Sequence, residues 1–164
     1  MKLLVTGSPG TGKTSVARAL GRRLKCTVLN EKDFALSRGV GTWNHKSNEL
    51  EIPLGKIRRE INAEIAGKKS IIIEGHVLCE AKLGVDAVIV LRVHPEILES
   101  RLEARGYNAE KIQDNVFCEG IDYCSKHVIR RYAGKKIIEV SNEKGIKETL
   151  NTILLELKRK GLLE

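Results

Sequence analysis

The chain has 164 residues, of which 41% are apolar and only 4% are aromatic. This length predicts a single domain, residues 1–164, with an aliphatic core. No apolar run of about eighteen residues occurs and no signal-peptide pattern precedes the first motif, so we expect no membrane contact and a cytoplasmic protein, nuclear in a eukaryote. The net charge of +8 favours polyanionic partners such as nucleotides or RNA. A solvated basic surface is the alternative.

Apolar runs alternate with amphipathic segments along the chain. The predicted strands are 2–6, 26–29, 70–74, 86–91 and 136–140. The predicted helices are 14–24, 32–38, 53–66, 94–105, 108–132 and an amphipathic segment from 146 onward; nothing regular is predicted for 39–48. Apolar strands bounded by helices form parallel sheets that are covered on both faces. The pattern therefore predicts an α/β fold with a five-stranded parallel sheet.

The strongest motif follows the first predicted strand. Residues 7–14 read GSPGTGKT, which fits the phosphate-loop pattern G-x-x-x-x-G-K-[ST] between a strand and a helix. Its glycines let successive N–H groups point at phosphate oxygens, and the following helix adds its positive end. In this pattern Lys13 reaches the β- and γ-phosphates and Thr14 binds Mg²⁺, so we predict bound ATP; the alternative is a chance glycine-rich turn. The predicted nucleotide-binding residues here are Gly7, Pro9, Gly10, Thr11, Gly12, Lys13, Thr14 and Ser15.

Two polar residues end the third predicted strand. Glu74 closes the run IIIE, where a carboxylate accepts hydrogen bonds from the water shell of Mg²⁺ beside Thr14. His76 follows on the same side and could orient or deprotonate a water near the γ-phosphate. The alternatives are a surface acid and a histidine bonded to backbone, and the spacing leaves both open.

A pair of arginines lies four residues apart on one predicted helix. Arg101 and Arg105 share a helical face just before a turn at Gly106, so they could close over a triphosphate and neutralise its charge. From spacing alone, an exposed pair bridged to Glu103 or Glu110 is favoured.

Four cysteines are scattered along the chain. Cys118, Cys124 and His127 come nearest to a metal cluster, but Cys118 points elsewhere on a continuous helix. We therefore interpret Cys26, Cys79, Cys118 and Cys124 as reduced core thiols.

Three segments together resemble one family. GSPGTGKT, IIIEGH and DAVIVLRVHPEILESRLEARGYNAEKIQDNVFCE are similar to the adenylate-kinase-like nucleotidases of archaea and eukaryotic nuclei, which assist small ribosomal subunit maturation. The resemblance covers most of residues 1–125. It implies a nucleoside monophosphate kinase-like fold with a short lid at 101–115, and the reaction ATP + AMP ⇌ 2 ADP with ATP hydrolysis. It also implies a small-subunit ribosomal protein and nearby rRNA as partners.

The resemblance assigns roles to particular residues. The acid–x–His motif of the family matches Glu74 and His76, and its lid arginines match Arg101 and Arg105. The predicted catalytic residues are then Lys13, His76, Arg101 and Arg105. Arg105 is also predicted to bind the nucleotide, and Thr14 and Glu74 are predicted to bind the metal ion.

The acceptor segment, residues 30–66, departs from the family. An arginine normally follows an aspartate shortly after strand two, but here it comes two residues late. We therefore assign Asp33 and Arg38 to the acceptor, with Lys56 and Arg58 as reserves.

Other functions remain open on the sequence. The chain could be an assembly ATPase with incidental kinase activity, and AMP-stimulated ADP formation would decide between the two. A kinase for another small acceptor, of shikimate or gluconate type, shares the phosphate loop, but the acid–x–His pair and RLEARGYN argue against it. A regulatory GTPase is disfavoured because no [NT]-K-x-D motif occurs.

Overall fold

The computed structural model describes residues Met1 to Glu164. Its strands are β1 (Lys2–Thr6), β2 (Val28–Asn30), β3 (Thr42–Asn44), β4 (Glu49–Glu51), β5 (Ile71–Glu74), β6 (Ala87–Arg92) and β7 (Lys136–Ser141). Its helices are α1 (Lys13–Leu24), α2 (Glu31–Ser37), α3 (Leu54–Ala66), α4 (Pro95–Ala104), α5 (Ala109–Gly120), α6 (Tyr123–Arg131) and α7 (Ile146–Arg159), with a 3₁₀ turn at Val77–Glu80. None of these helices is both long enough and apolar enough to span a bilayer.

Five of the strands form one parallel sheet in the order β2-β5-β1-β6-β7. The predicted α/β fold with a five-stranded parallel sheet is confirmed. The chain leaves β1 toward β2 on one side and reaches β6 and β7 on the other, so the strand order reverses beside β1. A crevice opens at the carboxyl ends of the strands at such a point, which is where ligands bind in open α/β sheets.

Helices cover both faces of this sheet because the central strands are apolar on both sides. In β1, Leu3 and Val5 face α1 and α7, whereas Leu4 faces the layer of α3 and α6. The same alternation runs through β5 and β6. All three of these β1 side chains are fully buried. The carboxyl end of β1 is thereby fixed in the middle of the molecule.

Two predictions about local structure were wrong. The sequence predicts no regular structure for 39–48, yet β3 and β4 form an antiparallel hairpin in which Trp43 pairs with Leu50. The single predicted helix from 108 to 132 is two helices, α5 and α6, because Asp122 adopts a left-handed backbone conformation with φ of 58°. The Asp122 carboxylate accepts a hydrogen bond from Arg92 at 2.5 Å, which holds the break in place.

Candidate functional site

The phosphate loop connects β1 to α1 at the crevice. Its glycines take positive φ angles, 149° at Gly7, 89° at Gly10 and 92° at Gly12, which residues with a Cβ rarely adopt. Lys13 Nζ donates to the carbonyl of Ser8 at 3.0 Å, inside the loop. Desolvation lowers the pKa of Lys13. The loop is therefore preformed to bind an anion, and a bound phosphate would stabilise the charged form of Lys13.

Two side chains remote in the sequence hold the loop from outside. The Ser8 hydroxyl donates to the buried Glu119 carboxylate at 2.6 Å. The Asn142 amide donates to the carbonyl of Thr11 at 2.8 Å. A Cβ at position 12 would overlap that amide nitrogen, so Gly12 is required for close approach as well as for its backbone angle. Neither contact could be predicted from the sequence, since no local pattern indicates them.

Glu74 reaches Thr14 at the mouth of the loop. The Thr14 hydroxyl donates to Glu74 Oε1 at 2.9 Å, and the Asn30 amide donates to the same oxygen. Parallel pairing places Asn30 opposite Glu74. A hydroxyl and a carboxylate are hard oxygen donors, which suit Mg²⁺. The predicted metal residues are thus together, and Asn30 is an addition that the sequence did not indicate.

A cavity of about 350 Å³ lies over the loop. Its wall includes the cationic side chains of Lys13 and Arg105, which suit an anionic ligand. The lining residues are Pro9, Gly10, Gly12, Lys13, Thr14, Ser15, Asn30, Glu31, Lys32, Glu74, Gly75, His76, Arg105 and Tyr107.

His76 lies in the cavity wall with its ring held by backbone. Its Nδ1 is 3.1 Å from the carbonyl oxygen of Gly7 and 3.8 Å from Cys124 Sγ. Burial by itself favours the neutral ring, yet the hydrogen bond and charge of Cys124 raise the pKa of His76 above its ordinary value. The Cys79 thiol and His76 lower the pKa of the Cys124 thiol in turn. The structure therefore leaves Nε2 as the ring atom free to meet a ligand.

Glu31 is an acid in this cavity that sequence analysis missed. It begins α2 directly after β2 and is 6% exposed. Burial raises the pKa of its carboxyl to about 7, against the opposing charges of His76 and Lys13. In the sequence it resembles any acid in the first turn of a helix, so only the fold distinguishes it.

The structure separates the two predicted lid arginines. Arg105 directly follows α4 and lies in the cavity wall, with no ion pair to Glu103 or Glu110. Arg101 instead donates to the carbonyl of Asn142 at 2.8 Å. Since Asn142 holds the phosphate loop, Arg101 affects the site only indirectly, through its hydrogen bond to Asn142.

The residues that the sequence predicts for the acceptor lie in and beside a second cavity of about 390 Å³, which shares Asn30 and Glu74 with the first. Asp33 lines this second cavity, as does Arg18, which was not predicted. Arg38 lines neither cavity, because it pairs with Glu64 at 2.6 Å.

All four cysteines are free thiols. Cys79 and Cys124 are buried, as predicted. Cys26 is partly buried and packs against the core on the side of α1 and α7, whereas Cys118 is partly buried outside the core, so the prediction of a core thiol was wrong for Cys118. No group of three or more His, Cys, Asp or Glu side chains is arranged to hold a metal ion.

Comparison with known proteins identifies the family. Residues 3–122 match the family described as AAA domain, and the chain belongs to it. A Pyrococcus furiosus protein named "Putative adenylate kinase" is 36% identical, covering 98% of this chain and 88% of its own. A protein of the same name from Thermococcus kodakarensis is 34% identical, with 98% and 89% covered.

Solved structures of low sequence identity share the fold. A shikimate kinase from Bacteroides thetaiotaomicron superposes with a TM-score of 0.66 at 15% identity, covering 96% of this chain and 98% of that one. A deoxyadenosine kinase from M. mycoides gives a TM-score of 0.64 at 15% identity, with 97% and 100% covered. Together with the strand order, these matches show a P-loop kinase-like α/β fold.

Proposed function

We propose that the protein is an adenylate kinase that catalyses ATP + AMP ⇌ 2 ADP and also hydrolyses ATP. The observation that carries this proposal is the contact between Thr14 and Glu74 at 2.9 Å, at the mouth of a phosphate loop. The contact brings the two residues predicted to bind Mg²⁺ next to the phosphate loop, in the same cavity. The names of the relatives from Pyrococcus furiosus and Thermococcus kodakarensis support the choice of reaction.

Each predicted residue has a task in this proposal. The N–H groups of the loop and Lys13 bind the β- and γ-phosphates, and Arg105 in the cavity wall neutralises charge on the transferring group. His76 orients the γ-phosphate or a water through Nε2. Arg101 becomes a positioning residue, because its guanidinium supports Asn142 rather than the cavity.

Mg²⁺ fits the donors that the site offers. Thr14 and Glu74 would hold it, the latter through water, and the ion supplies neutralisation of the β- and γ-phosphate oxygens when bound. Asn30 keeps the Glu74 carboxylate turned toward Thr14 by donating to the same oxygen.

We place the acceptor nucleotide in the second cavity, within the segment 30–66. Asp33 lines it and Arg18 offers a cation for the acceptor phosphate. Arg38 could take part only by giving up its ion pair with Glu64. The segment 101–115, with Gly106 at φ of 72° beyond the end of α4, would act as the short lid.

We further propose that the nucleotide cycle serves small ribosomal subunit maturation, with a ribosomal protein and rRNA as partners. This part rests on the sequence resemblance, and the net charge of +8 is compatible with it. Nucleotide-dependent binding of purified small-subunit components would test it.

An acceptor panel tests the kinase proposal. ADP production from ATP should be measured with AMP, CMP, UMP, dAMP and shikimate, for the unchanged protein and Lys13→Ala. We expect AMP to accelerate ADP production strongly and the variant to lose that response. Equal rates with and without AMP would favour an assembly ATPase, and acceleration by shikimate alone would favour a metabolite kinase.

A further inference from the structure

The proposed function gives no task to Glu31. The carboxyl of Glu31 lies in the cavity wall beside Lys13 and His76. Its Oε1 is the one buried side-chain nitrogen or oxygen in the structure without a hydrogen-bond partner. Buried polar groups are almost always paired, because an unpaired one destabilises the fold. A carboxyl kept in this state therefore calls for a functional reason.

The chain makes room for this carboxyl at the end of β5. A Cβ at position 75 would overlap Glu31 Oε2 and come within 2.7 Å of its Cδ. Only glycine permits the two segments to approach this closely. Gly75 lies between Glu74 and His76, so the same tight exit from β5 positions the predicted metal acid, the imidazole and Glu31 around one space.

The neighbouring groups already have hydrogen-bond partners. Glu74 Oε1 accepts from both Thr14 and Asn30. His76 Nδ1 faces the Gly7 carbonyl. Both of these bonds to Glu74 use a single oxygen, so what distinguishes Glu31 is that its unpartnered oxygen, Oε1, is buried.

The charges around Glu31 also suit proton exchange. Burial, with a smaller contribution from Glu74, raises the pKa of the Glu31 carboxyl to about 7, although His76 and Lys13 favour the carboxylate. A proton acceptor works best when its pKa lies near the working pH.

We propose that Glu31 is a catalytic residue that takes the proton of a water molecule attacking the γ-phosphate, so that the site hydrolyses ATP without AMP. This inference rests on the proposed function, which places the triphosphate on the loop. The water oxygen forms a bond to the γ-phosphorus, and the bond from that phosphorus to the β,γ-bridging oxygen breaks. ADP leaves with the bonding electron pair, and the water proton moves to the Glu31 carboxylate.

Transfer to AMP makes no such demand. The attacking oxygen of AMP belongs to a phosphate that is already ionised at neutral pH, so it needs positioning and charge neutralisation instead of a base. A carboxylate near that phosphate would even repel it. Loss of the Glu31 carboxylate should therefore separate the two activities.

The test compares hydrolysis and transfer in single preparations of Glu31→Gln, Gly75→Ala and the unchanged protein. The matched control is Glu99→Gln, which makes the same chemical change at an exposed position on α4. ATP hydrolysis is measured without AMP, and transfer is measured as AMP-dependent ADP formation. Affinity for ATP is measured by titration, and thermal unfolding shows that each variant is folded.

We expect Glu31→Gln to lower hydrolysis on the order of 10²-fold while transfer changes less than about threefold. Gly75→Ala, whose methyl group displaces the carboxyl, should also lower hydrolysis. ATP affinity should stay near that of the unchanged protein and of Glu99→Gln.

If Glu31→Gln changes both activities equally, or leaves hydrolysis intact, the inference is overturned. Unchanged protein that hydrolyses ATP but shows no transfer to AMP would instead overturn the kinase proposal, and the hydrolysis of Glu31→Gln would still decide the role of Glu31. Should Glu31→Gln fail to fold, Glu31→Ala with added formate replaces it. Restoration of hydrolysis by formate supports the inference, and no restoration in folded protein contradicts it.

Discussion

Replacing Arg92 by leucine should unfold the protein at a clearly lower temperature. The Arg92 side chain, at the end of β6, pairs with Glu119 at 2.6 Å, Asp122 at 2.5 Å and Glu139 at 3.2 Å. Asp122 and Glu139 are 51% and 49% exposed, but Glu119 is 2% exposed. Removing the arginine would leave the Glu119 charge buried without its cationic partner.

The magnitude follows from this difference in exposure. Breaking a buried ion pair by removing one partner costs about 3–5 kcal/mol, whereas an exposed pair contributes about 0–1 kcal/mol. Glu119 would keep its hydrogen bonds from the Ser8 hydroxyl and the Val93 N–H, so the lower end applies, about 3 kcal/mol. At roughly 2–4 °C per kcal/mol for a domain of this size, Tm should fall by roughly 6–12 °C.

Thermal unfolding followed by circular dichroism measures the effect. The matched control is Arg159→Leu, which breaks the pair with Glu156 at a side chain that is 70% exposed and should shift Tm by less than about 4 °C. The double variant Arg92→Leu with Glu119→Gln should recover part of the loss, because no buried charge remains. A Tm for Arg92→Leu equal to that of the control, or no recovery in the double variant, would refute the reasoning.

Three further predictions concern activity. Lys13→Ala should lower phosphoryl transfer on the order of 10²-fold or more, about 3 kcal/mol, without unfolding the chain; unchanged turnover would contradict the phosphate-loop assignment. Arg105→Ala should lower kcat more than it raises KM for ATP, because its charge meets the transferring group; steady-state kinetics that change KM alone would make it a ground-state contact. His76→Ala should lower AMP-independent hydrolysis more than transfer, as measured in one preparation, and selective loss of transfer would reverse its role.

The parts of the fold that the sequence predicted are those coded by local patterns. The apolar runs of β1, β5 and β6 are buried on both faces, which a parallel sheet requires, and their order with the intervening helices set the fold class. Glu74 was also accessible to sequence reasoning, since a polar residue at the end of a buried strand lies at the ligand edge of the sheet.

The contacts that the sequence did not predict are between residues that lie far apart along the chain. The Asn30–Glu74 contact follows from the pairing of β2 with β5, which the chain order does not reveal. Glu119 reaches Ser8 across 111 positions and Asn142 reaches Thr11 across 131. The break at Asp122 was missed because its left-handed angle is held by Arg92 from another strand.

The fate of the γ-phosphate of ATP tests the central claim most directly. ATP labelled at the γ-phosphate should be incubated with AMP, Mg²⁺ and the protein, and the labelled products should be separated. The account predicts label in the β-phosphate of ADP formed from AMP, and its loss in Lys13→Ala. Label found only in inorganic phosphate, at a rate that AMP does not change, would contradict it.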